Sequence, residues 1–157
     1  MFNKKKEKKP KLKIIEPPTL FEETQEIVKK IADYYKHDFI SYWGAYNSNI
    51  ASNDVIVFNE ILKHRKSDKL YLFVKSSGGS GKASLRLIHL LRSAYKEIIA
   101  LVPMECASAA TMLVLGTDLI KMGPLSFLTA IDTSITHDLS PVDVDGDRVK
   151  VNQNELD

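Results

Sequence analysis

Cysteine is scarce in this 157-residue chain, which contains only one. A single cysteine excludes an intramolecular disulfide framework and a zinc site built from cysteines alone. Apolar runs are also short, since none reaches the ~18 residues that a membrane-spanning helix requires. No apolar segment follows the N-terminal lysines, so the sequence does not predict a secretory signal. We expect a soluble domain in a reducing, cytoplasmic setting.

The formal net charge is only +2, but the charges are unevenly distributed. Residues 1–13 hold seven lysines and one glutamate, a net charge of +6, which leaves −4 for the remaining chain. No arginine or aromatic side chain is interleaved among these lysines, so we expect residues 1–18 to form a solvated tail that binds no nucleic acid. The domain should then span residues 19–157. Because the sequence stops on what looks like the first turn of a helix, we expect a C-terminal part to be missing.

Apolar patterning predicts an alternation of strands and helices. Strands are predicted over residues 38–43, 70–74, 98–102 and 119–122, and the second and third are apolar throughout, which is typical of strands buried on both faces. Helices are predicted over about residues 19–35, 53–65 and 107–115, with a further one after Gly81. With right-handed crossovers, this order predicts an α/β fold with a largely parallel sheet flanked by helices.

A glycine-rich segment follows the strand at 70–74. It fails as a phosphate-binding P-loop, because Gly81-Lys82 is followed by Ala83 and a serine stands where the first glycine is required. Gly78 and Gly79 nevertheless stand at the carboxyl end of a buried strand, where open α/β sheets bind ligands. Adjacent glycines there can present backbone N–H groups to an oxyanion or to a peptide main chain.

Ser108 follows the next buried strand and stands at the start of a predicted helix. It has two interpretations: a helix cap that accepts a backbone N–H of residue 110 or 111, or a nucleophile. As a nucleophile it would have the N–H of Ala109 and the positive end of the helix beside a developing oxyanion. Adjacent parallel strands would bring Ser108 and the glycine pair into one crevice, which favours the second interpretation.

The ordered segments 76–79 (SSGG), 107–111 (ASAAT) and 122–132 (MGPLSFLTAID) resemble the ClpP/crotonase superfamily of serine peptidases. The pattern is most similar to the branch of signal peptide peptidase A and serine dehydrogenase proteinase, and the resemblance covers about residues 38–140. It implies a ClpP/crotonase-like fold and a cytoplasmic peptidase that acts on a peptide or protein substrate. Ser108 would be the nucleophile, and the N–H groups of Gly78 or Gly79 and of Ala109 would form the oxyanion hole. The resemblance also implies a homo-oligomer.

The sequence marks the general base less clearly than it marks the nucleophile. No histidine stands about 25 residues after Ser108, where the resemblance to ClpP would place it, and His137 lies four residues further. The signal peptide peptidase branch uses a serine–lysine pair, and the matching distance along the chain falls near Lys150, which has valine on both sides. A lysine in an apolar setting has a lowered pKa and can accept the serine proton. Lys82 and Lys121 are weaker candidates, and the base could also lie beyond Asp157.

Other motifs carry no chemistry that we can assign. Asp143 to Asp147 lacks the glycine position of a calcium loop, and Cys106 is interpreted as a small buried residue. We therefore expect no metal and no cofactor. Two alternatives to a peptidase remain: a non-catalytic peptide-binding or assembly module of the same fold, and a crotonase-type acyl-CoA enzyme.

Overall fold

A four-stranded parallel sheet organises the chain. The computed structural model describes residues 20–45, 48–131, 134–135, 142, 144, 146 and 151–152. The strands of the main sheet are β1 (Asp38–Trp43), β2 (Lys69–Lys75), β3 (Glu97–Val102) and β5 (Leu119–Met122), arranged in the order β1-β2-β3-β5. All three strand pairs are parallel, with Ile40 opposite Leu72 and Leu72 opposite Ala100.

Helices connect these strands. They are α1 (Leu20–Tyr35), α2 (Ser52–Leu62), α3 (Gly81–Ala94) and α4 (Ala109–Leu115). Ser80 caps α3, because its hydroxyl oxygen accepts the Ala83 N–H at 3.2 Å. The sheet face that carries Leu72, Val74 and Ala100 packs with α2, α3 and α4 in one core. On the opposite face, Tyr35 of α1 stacks on Tyr71 with ring centroids 3.9 Å apart.

Two pairs of very short strands complete the described chain. β4 (Glu105–Cys106) pairs in parallel with β6 (Phe127–Leu128), and β7 (Ser134–Ile135) pairs antiparallel with β8 (Val151–Asn152). An isolated parallel bridge joins Cys106 to Ser76, directly after β2. The chain around β4 therefore lies between the end of β2 and β6.

The architecture is the parallel α/β fold that the sequence predicts, and all four long strands are confirmed to within one residue at each end. Two helix boundaries differ: α2 ends at Leu62 rather than near residue 65, and α4 begins at Ala109 rather than at residue 107. The second difference has a physical reason, because residues 107 and 108 form a sharp turn between β4 and α4. The tail predicted over residues 1–18, Lys150 and His137 lie outside the described residues.

Candidate active site

The glycine pair and the serine meet at the carboxyl ends of β2 and β3. A Cβ atom built on Gly78 would lie 2.8 Å from the Ala107 carbonyl oxygen and 3.0 Å from the Ser108 Cβ. Gly78 also has φ +106°, a conformation that side chains with a Cβ rarely adopt. The predicted juxtaposition of these two segments is therefore confirmed, and only glycine fits at this position.

Gly79 is fixed from the other side of the crevice. It has φ +137°, and a Cβ there would lie 2.4 Å from the Ile50 nitrogen. Two hydrogen bonds hold this contact, from the Ile50 N–H to the Gly78 carbonyl and from the Ser80 N–H to the Ile50 carbonyl, each at 2.8 Å. The loop between β1 and α2 thus supports the glycine turn.

Ser108 adopts a strained backbone conformation with φ 50° and ψ −117°. Its hydroxyl makes no capping hydrogen bond, and the Ala110 N–H instead donates to the Ala107 carbonyl at 2.9 Å. The interpretation of the hydroxyl as a helix cap is therefore wrong. A serine on a strained strand-to-helix turn is the arrangement that exposes a nucleophilic hydroxyl in other hydrolase folds. Ser108 is half-buried between its buried alanine neighbours, Ala107 and Ala109.

Backbone N–H groups near Ser108 differ in whether they are already bonded. The Gly78 N–H donates to the buried Ser76 hydroxyl at 3.1 Å. Within the described part of the chain, the N–H groups of Gly79 and Ala109 have no acceptor. Of the three residues predicted for an oxyanion hole, Gly79 and Ala109 thus have available donors, whereas the Gly78 donor is already occupied.

Three hydroxyl side chains whose contacts the sequence did not predict hold this region together. Besides Ser76, Ser84 of α3 donates to the Ala109 carbonyl from a fully buried position. Thr129, directly after β6, accepts the Ser108 N–H through Oγ1 at 2.8 Å. The contacts of Ser84 and Thr129 span 25 and 21 residues, so no local sequence pattern marks them.

The remaining candidate residues, Cys106, Lys82 and Lys121, differ in burial. Cys106 is fully buried, and burial, with a smaller contribution from the Glu105 charge, raises the pKa of its thiol to about 12. Its interpretation as a buried structural residue is confirmed. Lys82 and Lys121 are exposed, and no cluster of potential metal ligands occurs among the residues that the structure describes.

An open cavity of about 580 Å³ lies at the opposite end of the strands, where β1, β2 and β3 begin. Its lining includes His37 and Asp38 at the start of β1, Lys66 and Ser67 before β2, and Tyr95 before β3. Parallel strands place ligands at their carboxyl ends, so we locate the candidate active site at Ser108 and not in this cavity.

Comparison with known proteins identifies the fold. No protein-family model and no curated protein sequence matches the chain. Two solved structures of the 1510-N membrane-bound stomatin-specific protease do match. A serine-to-alanine variant has a TM-score of 0.57 at 16% identity, covering 76% of this chain and 56% of that one. A lysine-to-alanine variant in complex with a substrate peptide has a TM-score of 0.52 at 17% identity, with 76% and 53% covered.

The chain therefore has the ClpP/crotonase-like fold of these proteases, as the sequence predicts. It spans about half the length of each of the two structures. Among the described residues, none of the helices is both long and apolar enough to cross a bilayer.

Proposed function

We propose that this protein is a cytoplasmic serine peptidase that cleaves peptide bonds through an acyl-enzyme on Ser108. The observation that carries the proposal is the strained turn at Ser108 beside Gly78. Close by are the N–H groups of Gly79 and Ala109, which have no acceptor among the described residues. The fold shared with a protease whose structure contains a substrate peptide supports the same reaction class.

In the first step, the Ser108 Oγ attacks the carbonyl carbon of the scissile peptide bond, and its proton passes to a neutral base. The carbonyl oxygen becomes an oxyanion, and the N–H groups of Gly79 and Ala109 donate hydrogen bonds to it. The C–N bond then breaks, and the base returns the proton to the leaving amine. Water releases the acyl group from Ser108 by the same route, which regenerates the hydroxyl. No metal or nucleotide takes part in this sequence.

Lys150 is the base that we propose. The serine and the lysine replaced in the two stomatin-specific protease variants lie 41 positions apart in that chain. Ser108 and Lys150 lie 42 positions apart here, and Val151, the next residue, pairs with Ile135 in the β7–β8 ladder. A neutral lysine can accept the serine proton once desolvation lowers its pKa well below ~10.4.

A fluorophosphonate probe tests the nucleophile, since it reacts covalently with activated serines. We expect the full chain to be labelled and Ser108→Ala to lose the label completely. Ser77→Ala is the matched control, because Ser77 is exposed in the same crevice region and its hydroxyl donates to Glu105 at 3.1 Å. Absence of labelling in the full chain would contradict the peptidase. A peptide-binding module or an acyl-CoA enzyme would then be favoured, because neither needs a serine nucleophile.

The base is tested separately. Lys150→Ala should abolish both probe labelling and peptide cleavage, because an unactivated serine hydroxyl is a poor nucleophile. Lys121→Ala removes an exposed lysine from β5 and should change neither. If Lys150→Ala retains full activity, Lys150 is not the base, and His137 becomes the next residue to replace.

A further inference from the structure

The hydroxyl of Thr129 occupies an unusual place beside Ser108. Its Oγ1 accepts the Ser108 N–H at 2.8 Å and donates to the Ala130 carbonyl at 3.1 Å. The backbone of Thr129 is held as well, because the buried Thr111 hydroxyl lies 3.0 Å from both the Thr129 and the Cys106 carbonyl oxygens. Thr129 is thus fixed to α4 and β4 at the point where the serine turn begins.

This contact acts on a strained segment. Ser108 is one of two described residues other than glycine with positive φ, and its side chain makes no hydrogen bond that would hold the turn. Such conformations persist only when surrounding groups fix them. The flanking bonds fix both sides of the turn: the Ala107 N–H donates to the Ser76 carbonyl at 2.9 Å, and the Met112 N–H donates to the Ser108 carbonyl at 3.2 Å. Only Thr129 bonds the amide of Ser108 itself within the described chain.

We infer that Thr129 is a positioning residue for the reaction proposed above, since its hydroxyl holds the Ser108 amide and thereby orients the nucleophile. The inference rests on the proposed function for its catalytic meaning. The bond fixes the peptide plane between Ala107 and Ser108, which sets the direction of the Ser108 Cα–Cβ bond. It also engages the Ser108 N–H, whereas the N–H groups of Gly79 and Ala109 have no acceptor in the described part of the chain.

The test compares Thr129→Val, which keeps the side-chain shape and loses the oxygen, with Thr129→Ser, which keeps the oxygen. We expect Thr129→Val to lower the rate of fluorophosphonate labelling and kcat for a peptide substrate about tenfold or more, because the Ser108 N–H loses its acceptor. A positioning role predicts that KM stays within about twofold, because the lost oxygen acts through the Ser108 amide. Thr129→Ser should return the rate to within about threefold of the original protein.

Thr117→Val is the matched control at the other end of α4, where the hydroxyl donates to the Val114 carbonyl at 2.7 Å. It should leave the labelling rate unchanged. Amide hydrogen exchange supplies a readout that does not depend on catalysis: exchange of the Ser108 amide should accelerate in Thr129→Val and in neither Thr129→Ser nor Thr117→Val.

The outcomes distinguish the two proposals. If the original protein is not labelled at all, the peptidase fails, and hydrogen exchange still decides whether Thr129 anchors Ser108. If Thr129→Val is labelled as fast as the original protein, or if Thr129→Ser is as impaired as Thr129→Val, the positioning role is overturned. Should Thr129→Val fold poorly, Thr129→Ala at this exposed position provides the same loss of oxygen.

Discussion

Single residues at the crevice are constrained by space as well as by chemistry. Gly78 illustrates this, since both its positive φ and its contacts with residues 107–109 exclude a side chain. The sequence could predict this position, because two adjacent glycines after an apolar run are a local signal. It could not predict the contacts of Ser84 or Thr129, because a hydroxyl that bonds a distant backbone group leaves no pattern among its neighbours.

Gly78→Ala should therefore disable the site. The added methyl group would lie 2.8 Å from the Ala107 carbonyl oxygen, so the turn that carries Ser108 must shift. We expect probe labelling to fall at least about tenfold, since misplacement by ~1 Å is enough for a large loss of rate. Labelling rate and thermal unfolding are the measurements.

Gly146→Ala is the control for backbone strain alone. Gly146 also has positive φ, +88°, but nothing lies within 4 Å of an added Cβ. It should lose about 1–2 kcal/mol of stability and keep its labelling rate. Equal labelling of Gly78→Ala and the original protein would show that the glycine turn does not shape the serine site.

Cys106 gives a prediction about reactivity. Burial raises the pKa of its thiol to about 12, so the thiol is protonated, and therefore unreactive, near neutral pH. In the folded chain at pH 8, Ellman's reagent should react very slowly, and in denaturant it should react at once. Pretreatment of the folded chain with iodoacetamide should leave fluorophosphonate labelling intact. Rapid thiol reaction in the folded chain would reopen the assignment of the nucleophile.

Among the elements, α3 connects the core to the site. Leu87 and Leu91 on one side of the helix are fully buried, while Leu85 on another side is 47% exposed. The same helix carries Ser84, which bonds the Ala109 carbonyl at the start of α4. Apolar spacing predicts α3 from the sequence, but periodicity alone does not say how far a neighbouring helix covers its apolar side chains. The two-residue strands β4 and β6 are too short for any periodicity to reveal.

Replacing leucines on α3 should distinguish its buried side from its exposed side by the loss of stability. Leu87→Ala removes a fully buried side chain next to the sheet and should lower the free energy of unfolding by about 2–5 kcal/mol. Leu85→Ala at the exposed position should cost less than about 1 kcal/mol. Urea unfolding followed by circular dichroism measures both values. If the two variants were equally stable, the packing of α3 against the core would be contradicted.

At the scale of the whole molecule, the fold was predictable because apolar runs in the sequence mark its strands. Residues 70–74 of β2 and 98–102 of β3 are apolar throughout, and Leu70, Leu72, Ile98 and Ala100 are indeed fully buried. Parallel pairing then places Gly78 and Ser108 at the same edge of the sheet without any further information. The general base was harder to predict, because the sequence marks Lys150 only by its distance along the chain from Ser108 and its apolar neighbours, and not by a contact.

The expected homo-oligomer is a prediction for the whole molecule. Parallel sheets are normally covered on both faces. Here α1 packs on the outer face through Tyr35, while Trp43 and Leu119 on that face remain 55% and 48% exposed in the described structure. Exposed apolar side chains of this size favour association, and most soluble oligomers are symmetric assemblies of one chain.

Sedimentation velocity of the full chain at micromolar concentration should therefore give a species heavier than the 17.7 kDa monomer. Ser108→Ala should sediment in the same way, because its small change in the crevice leaves the outer face of the sheet untouched. This control matters for a peptidase, since degradation of the sample by its own activity would also change the sedimentation profile. A purely monomeric profile for both proteins would refute the assembly. It would leave the Ser108 site unaffected, because the described contacts that shape the serine turn all come from one chain.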